Sequence, residues 1–218
     1  MNTHIDTDET RIESYIDSLS TGTSELLSSI EREALRDEVP IIRKGSQCLL
    51  EFLIKSHKPD RILEVGTAVG FSALLMWESS GKTAKITTIE NYEKRIPVAR
   101  ANFDRAGAGE DITLIEGDAM EVLKTLDGPY PFIFMDAAKA QYLHFLPEVT
   151  RLLTSGGILV TDNVLQDGDV LCSRYGVTRR DRTIHSRMRE YLHELTHNDL
   201  FTTSIVNVGD GMALTLKK

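Results

Sequence analysis

No apolar run in this 218-residue chain approaches the ~20 residues that a membrane span requires; runs such as 132–135 and 158–160 are strand-sized. The opening M-N-T-H-I-D-T-D-E-T is polar and acidic where a secretory leader is basic and then apolar, so the chain is expected in the cytoplasm. Cysteine is scarce as well. Cys48 and Cys172 form no C-x-x-C pair and are too few for a disulfide framework, which leaves reduced packing cysteines. Basic charge is in deficit: a formal net charge of −8 argues against a generic nucleic-acid coat. There is no internal repeat, linker or low-complexity tract, so one domain is enough for the whole chain, 1–218. Within it, 1–58 reads as N-terminal helices and 59–218 as the core. With 41% hydrophobic and 27% charged residues, no disorder is forced.

What is present centres on 61–72, R-I-L-E-V-G-T-A-V-G-F-S. Ile62, Leu63 and Val65 make the short apolar run of a strand buried on both faces, and Gly66 and Gly70 bracket a turn onto a helix. Glycine there lets the backbone approach a ligand, with the N–H groups of the next helix aimed into the crevice. The spacing is G-x-x-x-G and not the G-x-G-x-x-G of pyrophosphate binders. Glu64, just before the first glycine, would also repel phosphate. A nucleoside without phosphates is therefore the expected ligand, with Glu64 and Gly66 at its edge.

Along the chain, apolar residues recur at helical spacing over 9–19 (Ile12, Tyr15, Ile16, Leu19) and again after a cap at Thr23 and Ser24 until Val39-Pro40. A third helix is expected over 41–57. These three precede the first strand, where they could cover a ligand crevice or a partner subunit. Strands then alternate with helices: strand 85–89, helix 92–105, strand 112–115, helix 120–126, strand 131–135, helix 141–153, a turn at 155–157 and strand 158–161. Alternation of this regularity predicts an α/β fold with a doubly wound, mostly parallel sheet. The tail differs, with a helix over 182–196 and two strands, 201–206 and 212–216, joined by Gly209-Asp210-Gly211 as an antiparallel hairpin. Seven strands are expected in all. Edge strands in the tail and surplus apolar residues in the first helices predict a symmetric homodimer.

Acidic residues fall at the carboxyl ends of successive predicted strands, the edge where open α/β sheets bind ligands. Glu90 follows Gly66 by slightly more than the ~20 residues at which an acid meets ribose hydroxyls. Asp118 would accept from an exocyclic amine, while the small Ala119 leaves room for a base. Each acid alone reads as a solvated loop residue or helix cap; four at consecutive strand ends do not. Asp136, Asp162 and Asn163 form a second group, with oxygen donors only, which suits Mg²⁺ better than zinc. Lys139, three residues past Asp136, is close enough to serve as a general base beside such an ion.

Five segments, E-V-G-T-A-V-G-F-S, I-E-N-Y-E-K-R, G-D-A, F-M-D-A-A-K-A-Q-Y and G-G-I-L-V-T-D-N-V-L, occur in an order that resembles the metal-dependent, S-adenosylmethionine-using O-methyltransferases of the catechol and caffeoyl-CoA type. The resemblance runs from about residue 39 to the C-terminus and implies a Rossmann-like core. It implies a cofactor site of Ile42, Ser72, Glu90, Asp118, Ala119 and Asp136, a Mg²⁺ site of Asp136, Asp162 and Asn163, and Lys139 with Asp136 as the catalytic residues. Within that family the chain is most similar to the bacterial tRNA 5-hydroxyuridine O-methyltransferases, through V-P-I-I-R-K at 39–44, D-N-V-L followed by arginines, and V-G-D-G at 208–211. Two departures, Ile42 in place of an expected methionine and the G-K-T after the Trp77 helix, leave the chemistry untouched.

The substrate expectation rests on 174–190, where six arginines face only Asp181 and Glu190, a local net charge of +4. Such a stretch suits RNA phosphates. Arg182, Arg187 and Arg189 fit a solvated helix face equally well, whereas Arg174, Arg179 and Arg180 are the expected RNA contacts. The splayed wobble base of a tRNA anticodon loop would then offer O4 and the 5-hydroxyl as a chelating pair, as a catechol offers two oxygens. A small-molecule catechol or phenylpropanoid methyltransferase and a non-catalytic nucleoside-binding protein are the competing readings.

Overall fold

A computed structural model of the chain describes residues 9–218. Three helices come first, α1 (Glu9–Ser18), α2 (Glu25–Arg36) and α3 (Lys44–His57). The Ser24 hydroxyl accepts from the Leu27 N–H at 3.2 Å and starts α2, whose Leu27, Ile30 and Ala34 are buried. Each fully buried Leu or Ile of this kind contributes about 1.5–3 kcal/mol. Helix α3 begins later than the spacing predicts: 41–43 lie outside it, with Arg43 extended and Ile42 buried. The apolar row of α1 stays open: Ile12, Tyr15, Ile16 and Leu19 are each about half exposed or more.

Seven strands follow in the order β3-β2-β1-β4-β5-β7-β6. They are β1 (Arg61–Val65), β2 (Lys85–Glu90), β3 (Ile112–Glu116), β4 (Tyr130–Met135), β5 (Leu153–Thr161), β6 (Phe201–Val206) and β7 (Met212–Lys217). The first five are parallel, and β7 runs antiparallel between β5 and β6. Helices α4 (Phe71–Ser79), α5 (Ile96–Ala106), α6 (Ala119–Thr125), α7 (Tyr142–Leu152) and α8 (Arg182–His197) cover the two faces. One face packs α2, α3, α4 and α5 over Ile62, Ile86, Phe132 and Phe134. The other packs α6, α7 and α8 over Leu63, Val65, Ile133 and Leu159, with Tyr142 and Tyr191 in ring contact at 5.6 Å. Period-two alternation along each strand thus feeds both cores.

The structure departs from the sequence pattern in three local ways. Pro97 sits in the first turn of α5, where its missing N–H costs nothing, so the helix starts at Ile96 and not at 92. Strand β5 starts at Leu153 and runs through the expected turn, with Gly156 at φ +76. Short 3-10 helices, Lys139–Gln141 and Gln166–Leu171, carry the chain past the sheet's carboxyl edge. Among the described residues no helix is long and apolar enough to cross a membrane.

Two glycines separate backbone strain from crowding. A Cβ on Gly66 (φ +101) would lie 2.0 Å from the Asp136 carbonyl oxygen, whereas one on Gly81 (φ +74) meets nothing within 4 Å. Gly81→Ala is expected to cost the ~1–2 kcal/mol of left-handed strain, and Gly66→Ala roughly 3 kcal/mol or more because β1 and β4 must part. Urea denaturation of the two variants checks the difference; equal losses would mean that the β1/β4 junction tolerates the extra carbon.

Candidate active site

The strand order reverses between β1 and β4, and that is where an open α/β sheet leaves a crevice. The hydrogen-bond ladder continues one rung past the strands. Gly66 N–H donates to Ile89 O at 3.1 Å, Gly117 N–H to Glu90 O at 2.9 Å, Asp136 N–H to Val65 O at 3.0 Å and Asp162 N–H to Met135 O at 3.0 Å. Those rungs set Gly66, Gly117 and Asp136, the residues after β1, β3 and β4, on the wall of a cavity of about 600 Å³, while Asp162 after β5 is buried and only its neighbour Asn163 reaches the wall. Ile42, Gly66, Glu90, Asp118, Ala119, Asp136, Lys139 and Asn163 all line the cavity.

On the β2–β3 side, Glu90 is held before any ligand arrives. Its Oε2 accepts from Ala68 N–H at 2.8 Å, and its Oε1 from Asn91 and Tyr92 N–H at 3.0 and 2.9 Å. A carboxylate fixed by three backbone donors keeps acceptor capacity for a diol. Asp118 caps α6 by accepting from Met120 N–H at 2.8 Å, with Ala119 beside it. Both line the cavity.

Glu64 and Ser72 are placed differently from expectation. Glu64 is fully buried beneath the glycine turn and lines no part of the main cavity. Its two oxygens accept from the hydroxyls of Ser72 and Thr88, and Thr88 is in turn bonded to Thr67. This network ties the turn (Thr67), α4 (Ser72) and β2 (Thr88) to β1, so Glu64 shapes the turn from below. Ser72 lines only a small pocket adjoining the cavity, along with Ile42 and Asp136.

On the β4–β5 side, Asn163 Nδ2 donates to Asp136 Oδ1 at 2.9 Å, which leaves the amide oxygen free to turn to a cation. Asn163 holds φ +61, a left-handed conformation that Asn tolerates. Asp162 is 1% exposed, and its Oδ1 accepts from Asn163 N–H at 2.9 Å and from Ser46 Oγ at 3.4 Å. Burial, and then the Asp136 charge, push the Asp162 carboxyl up to about 7, and burial raises that of Asp136 too. Two crowded carboxyls with an amide oxygen fit a hard divalent cation, whose charge would relieve both shifts. Among the described residues no three His, Cys, Asp or Glu side chains stand together as a metal cage, so these residues would hold an ion with water completing its shell.

Reading strand ends misses the part of the wall that comes from elsewhere. Arg43, Arg95, Gln141, Phe145 and Asp210 also line the cavity. Asp210, on the β6–β7 turn, is 5% exposed and accepts from Lys139 Nζ at 3.0 Å. The V-G-D-G signal marks that turn as a hairpin, and nothing in its spacing says that it reaches the site. Arg174, Arg179 and Arg180 lie outside the cavity wall on an exposed segment and, among the described residues, make no hydrogen bond, ion pair or ring contact. Their neighbours are engaged: Arg182 lies over the Tyr175 ring at 5.6 Å, Arg187 donates to Ala140 O at 3.0 Å and Arg189 to Val170 O at 3.3 Å.

Burial outweighs the Ser72 and Thr88 hydrogen bonds and raises the Glu64 carboxyl from 4.5 to about 8. A carboxyl raised in the fold favours the protonated folded state. Its contribution to stability is complete below the unfolded value near 4.5 and is lost as pH rises through about 8. The metal-free protein should therefore melt at falling temperature between about pH 5 and pH 9, and Glu64→Gln should make that fall shallower. Calorimetric melting across the range checks it; parallel curves for the two proteins would remove Glu64 as a source of the pH dependence.

The O-methyltransferase family model matches residues 17–218. The chain is 30% identical over 215 residues to the catechol O-methyltransferase of Mycobacterium tuberculosis, covering 94% of each. It is 34% identical over 128 residues to the caffeoyl-CoA O-methyltransferase of Stellaria longipes, covering 56% of this chain and 53% of that one. The SAH-bound methyltransferase PaMTH1 of Podospora anserina superposes with a TM-score of 0.86 at 28% identity, covering 97% of both chains. With the whole sheet, both helical layers and the cavity inside the matched region, the chain belongs to the O-methyltransferase family.

Proposed function

We propose that the protein is an S-adenosylmethionine-dependent, Mg²⁺-dependent O-methyltransferase and that it converts 5-hydroxyuridine to 5-methoxyuridine at the wobble position of tRNA. The observation that carries the methyltransferase reading is the division of one cavity into two chemistries. Glu90 and Asp118 face a nucleoside on one side, and Asp136 and Asn163 present oxygen donors on the other, with the buried Asp162 bonded to the Asn163 N–H. The SAH held by the Podospora relative supports the cofactor. A cationic sulfonium suits an acid-lined crevice, where a phosphate would be repelled.

The roles of the chain's own groups follow from their places. Glu90, fixed by three N–H donors, accepts from the ribose hydroxyls, and Asp118 accepts from the exocyclic amine of the base. Ile42, Val65 and Phe145 supply apolar wall that limits water around the reacting atoms. Mg²⁺ held by Asp136, Asp162 and Asn163 would lower the pKa of the hydroxyl to be methylated and hold it in line with the methyl group. Lys139 takes the proton of that hydroxyl at Nζ.

The tRNA substrate draws support from the resemblance of the closing segments and from the arginines. Three of six are engaged with the protein, and the three outside α8, Arg174, Arg179 and Arg180, are exposed with no partner among the described residues. Phosphates are the partners such side chains lack. The catechol relative favours a second reading, a small vicinal diol on the same donors. The open apolar row of α1, with Ile205 on edge strand β6, supports a homodimer.

Mass spectrometry of tRNA nucleosides from cells lacking the gene separates the readings. 5-Methoxyuridine should vanish and 5-hydroxyuridine accumulate, and the purified protein should restore the methyl group. Replacing Arg174, Arg179 and Arg180 with Ala should weaken tRNA binding and flatten its dependence on log salt by up to ~0.7–0.9 for each phosphate no longer neutralised. An unchanged nucleoside pool alongside methylation of catechol would establish the small-molecule reading.

A further inference from the structure

The tip of the β6–β7 hairpin is docked more firmly than a turn between two strands requires. Gly209 and Gly211 hold φ +64 and +79, and a Cβ on either would collide, at 2.4 Å with Ser46 Oγ and at 2.3 Å with the Leu165 side chain. Hydrogen bonds to its carbonyls pin the tip from both sides. Arg43 Nη1 donates to Gly209 O at 3.3 Å, Leu165 N–H to Asp210 O at 2.9 Å and Val164 N–H to Gly211 O at 3.0 Å. Val164 and Leu165 directly follow Asn163, and Ser46 also reaches Asp162. The hairpin is therefore clamped to the same segments that carry the oxygen donors.

That clamp delivers a buried carboxylate. Asp210 is 5% exposed and 3.0 Å from Lys139 Nζ, whose own side chain is about one-third exposed. Lysine is a flexible four-carbon stem ending in a point charge, and Lys139 stands on a single turn of 3-10 helix that does little to orient it. A fixed acceptor on one side of Nζ leaves it a restricted set of directions.

We propose that Asp210 is a positioning residue for the methyl-transfer step: the docked V-G-D-G tip holds Lys139 Nζ where it meets the substrate hydroxyl. The inference rests on the reading of Lys139 as the base. It assigns the hairpin a part in the reaction beyond closing the sheet, and it makes the seating of the tip against Ser46 and Leu165 a condition of catalysis.

Steady-state methyl transfer by Asp210→Asn, Lys139→Met and the double variant tests it, on 5-hydroxyuridine tRNA or on catechol, whichever the wild type methylates. Asp210→Asn should lower kcat roughly 10- to 100-fold, the loss expected when a charged hydrogen bond is removed, with KM for S-adenosylmethionine within about twofold of wild type. The double variant should be no slower than Lys139→Met, since Asp210 acts through the lysine. If Asp210→Asn does not fold, Asp210→Glu carries the test: it keeps the charge but displaces Nζ, so kcat should fall while cofactor affinity holds. A near-normal kcat in the folded Asp210 variant beside a slow Lys139→Met, or losses that multiply in the double variant, would overturn the positioning role alone. A normal kcat in Lys139→Met would instead overturn the base assignment, and a wild type that methylates neither substrate would overturn the function on which both rest.

Discussion

The hydrogen bond from Asp136 N–H to Val65 O, 3.0 Å long, is the contact on which the site depends. It carries the β1–β4 pairing one residue past both strands, to the point where the sheet order reverses. Only a glycine fits opposite, because any Cβ at residue 66 would overlap the Asp136 carbonyl. The glycine turn and the first oxygen donor are thus set by one close approach. Parallel rungs at Gly117 and Asp162 place the remaining strand ends by the same means. Backbone geometry, and not side-chain reach, decides which carboxylates share the cavity.

Charge then sorts those carboxylates into two kinds. Glu90 and Asp118 accept from backbone N–H groups and keep room for polar ligands. Asp136 is half-buried on the cavity wall and Asp162 is buried, and loss of water pushes both carboxyls up. Glu64 is a third case: a carboxyl buried below the turn whose work is structural, through Ser72 and Thr88. The same residue type thus meets three environments, set by how much water and how many donors reach it.

The alternation of strands and helices is legible in the sequence because each strand is a short apolar run and each helix has one apolar stripe. The seven strands and the antiparallel tail follow from that pattern. Glu90, Asp118, Asp136 and Asn163 are legible for the same reason, since a ligand edge can be located once strand ends are. The true place of Glu64 is not legible, because alternation within β1 fixes which face a residue takes, and not whether neighbouring hydroxyls close over it. Asp210 escapes a reading of the sequence because its approach to Lys139 spans 71 residues and depends on how a hairpin docks, which no local period encodes. The exposed apolar face of α1 shows the same limit: periodicity gives the stripe and not its partner.

On the proposed function, one cavity would hold a nucleoside side and a cation side that bind separately. Calorimetric titration of S-adenosylmethionine, run beside methyl transfer with Mg²⁺ and with excess chelator, tests this division on the intact protein. Cofactor affinity should be nearly the same with and without chelator, while turnover is lost in chelator and returns when Mg²⁺ is restored. Undiminished turnover in chelator, with no metal bound to the protein, would contradict the assignment of Asp136, Asp162 and Asn163 as the cation side.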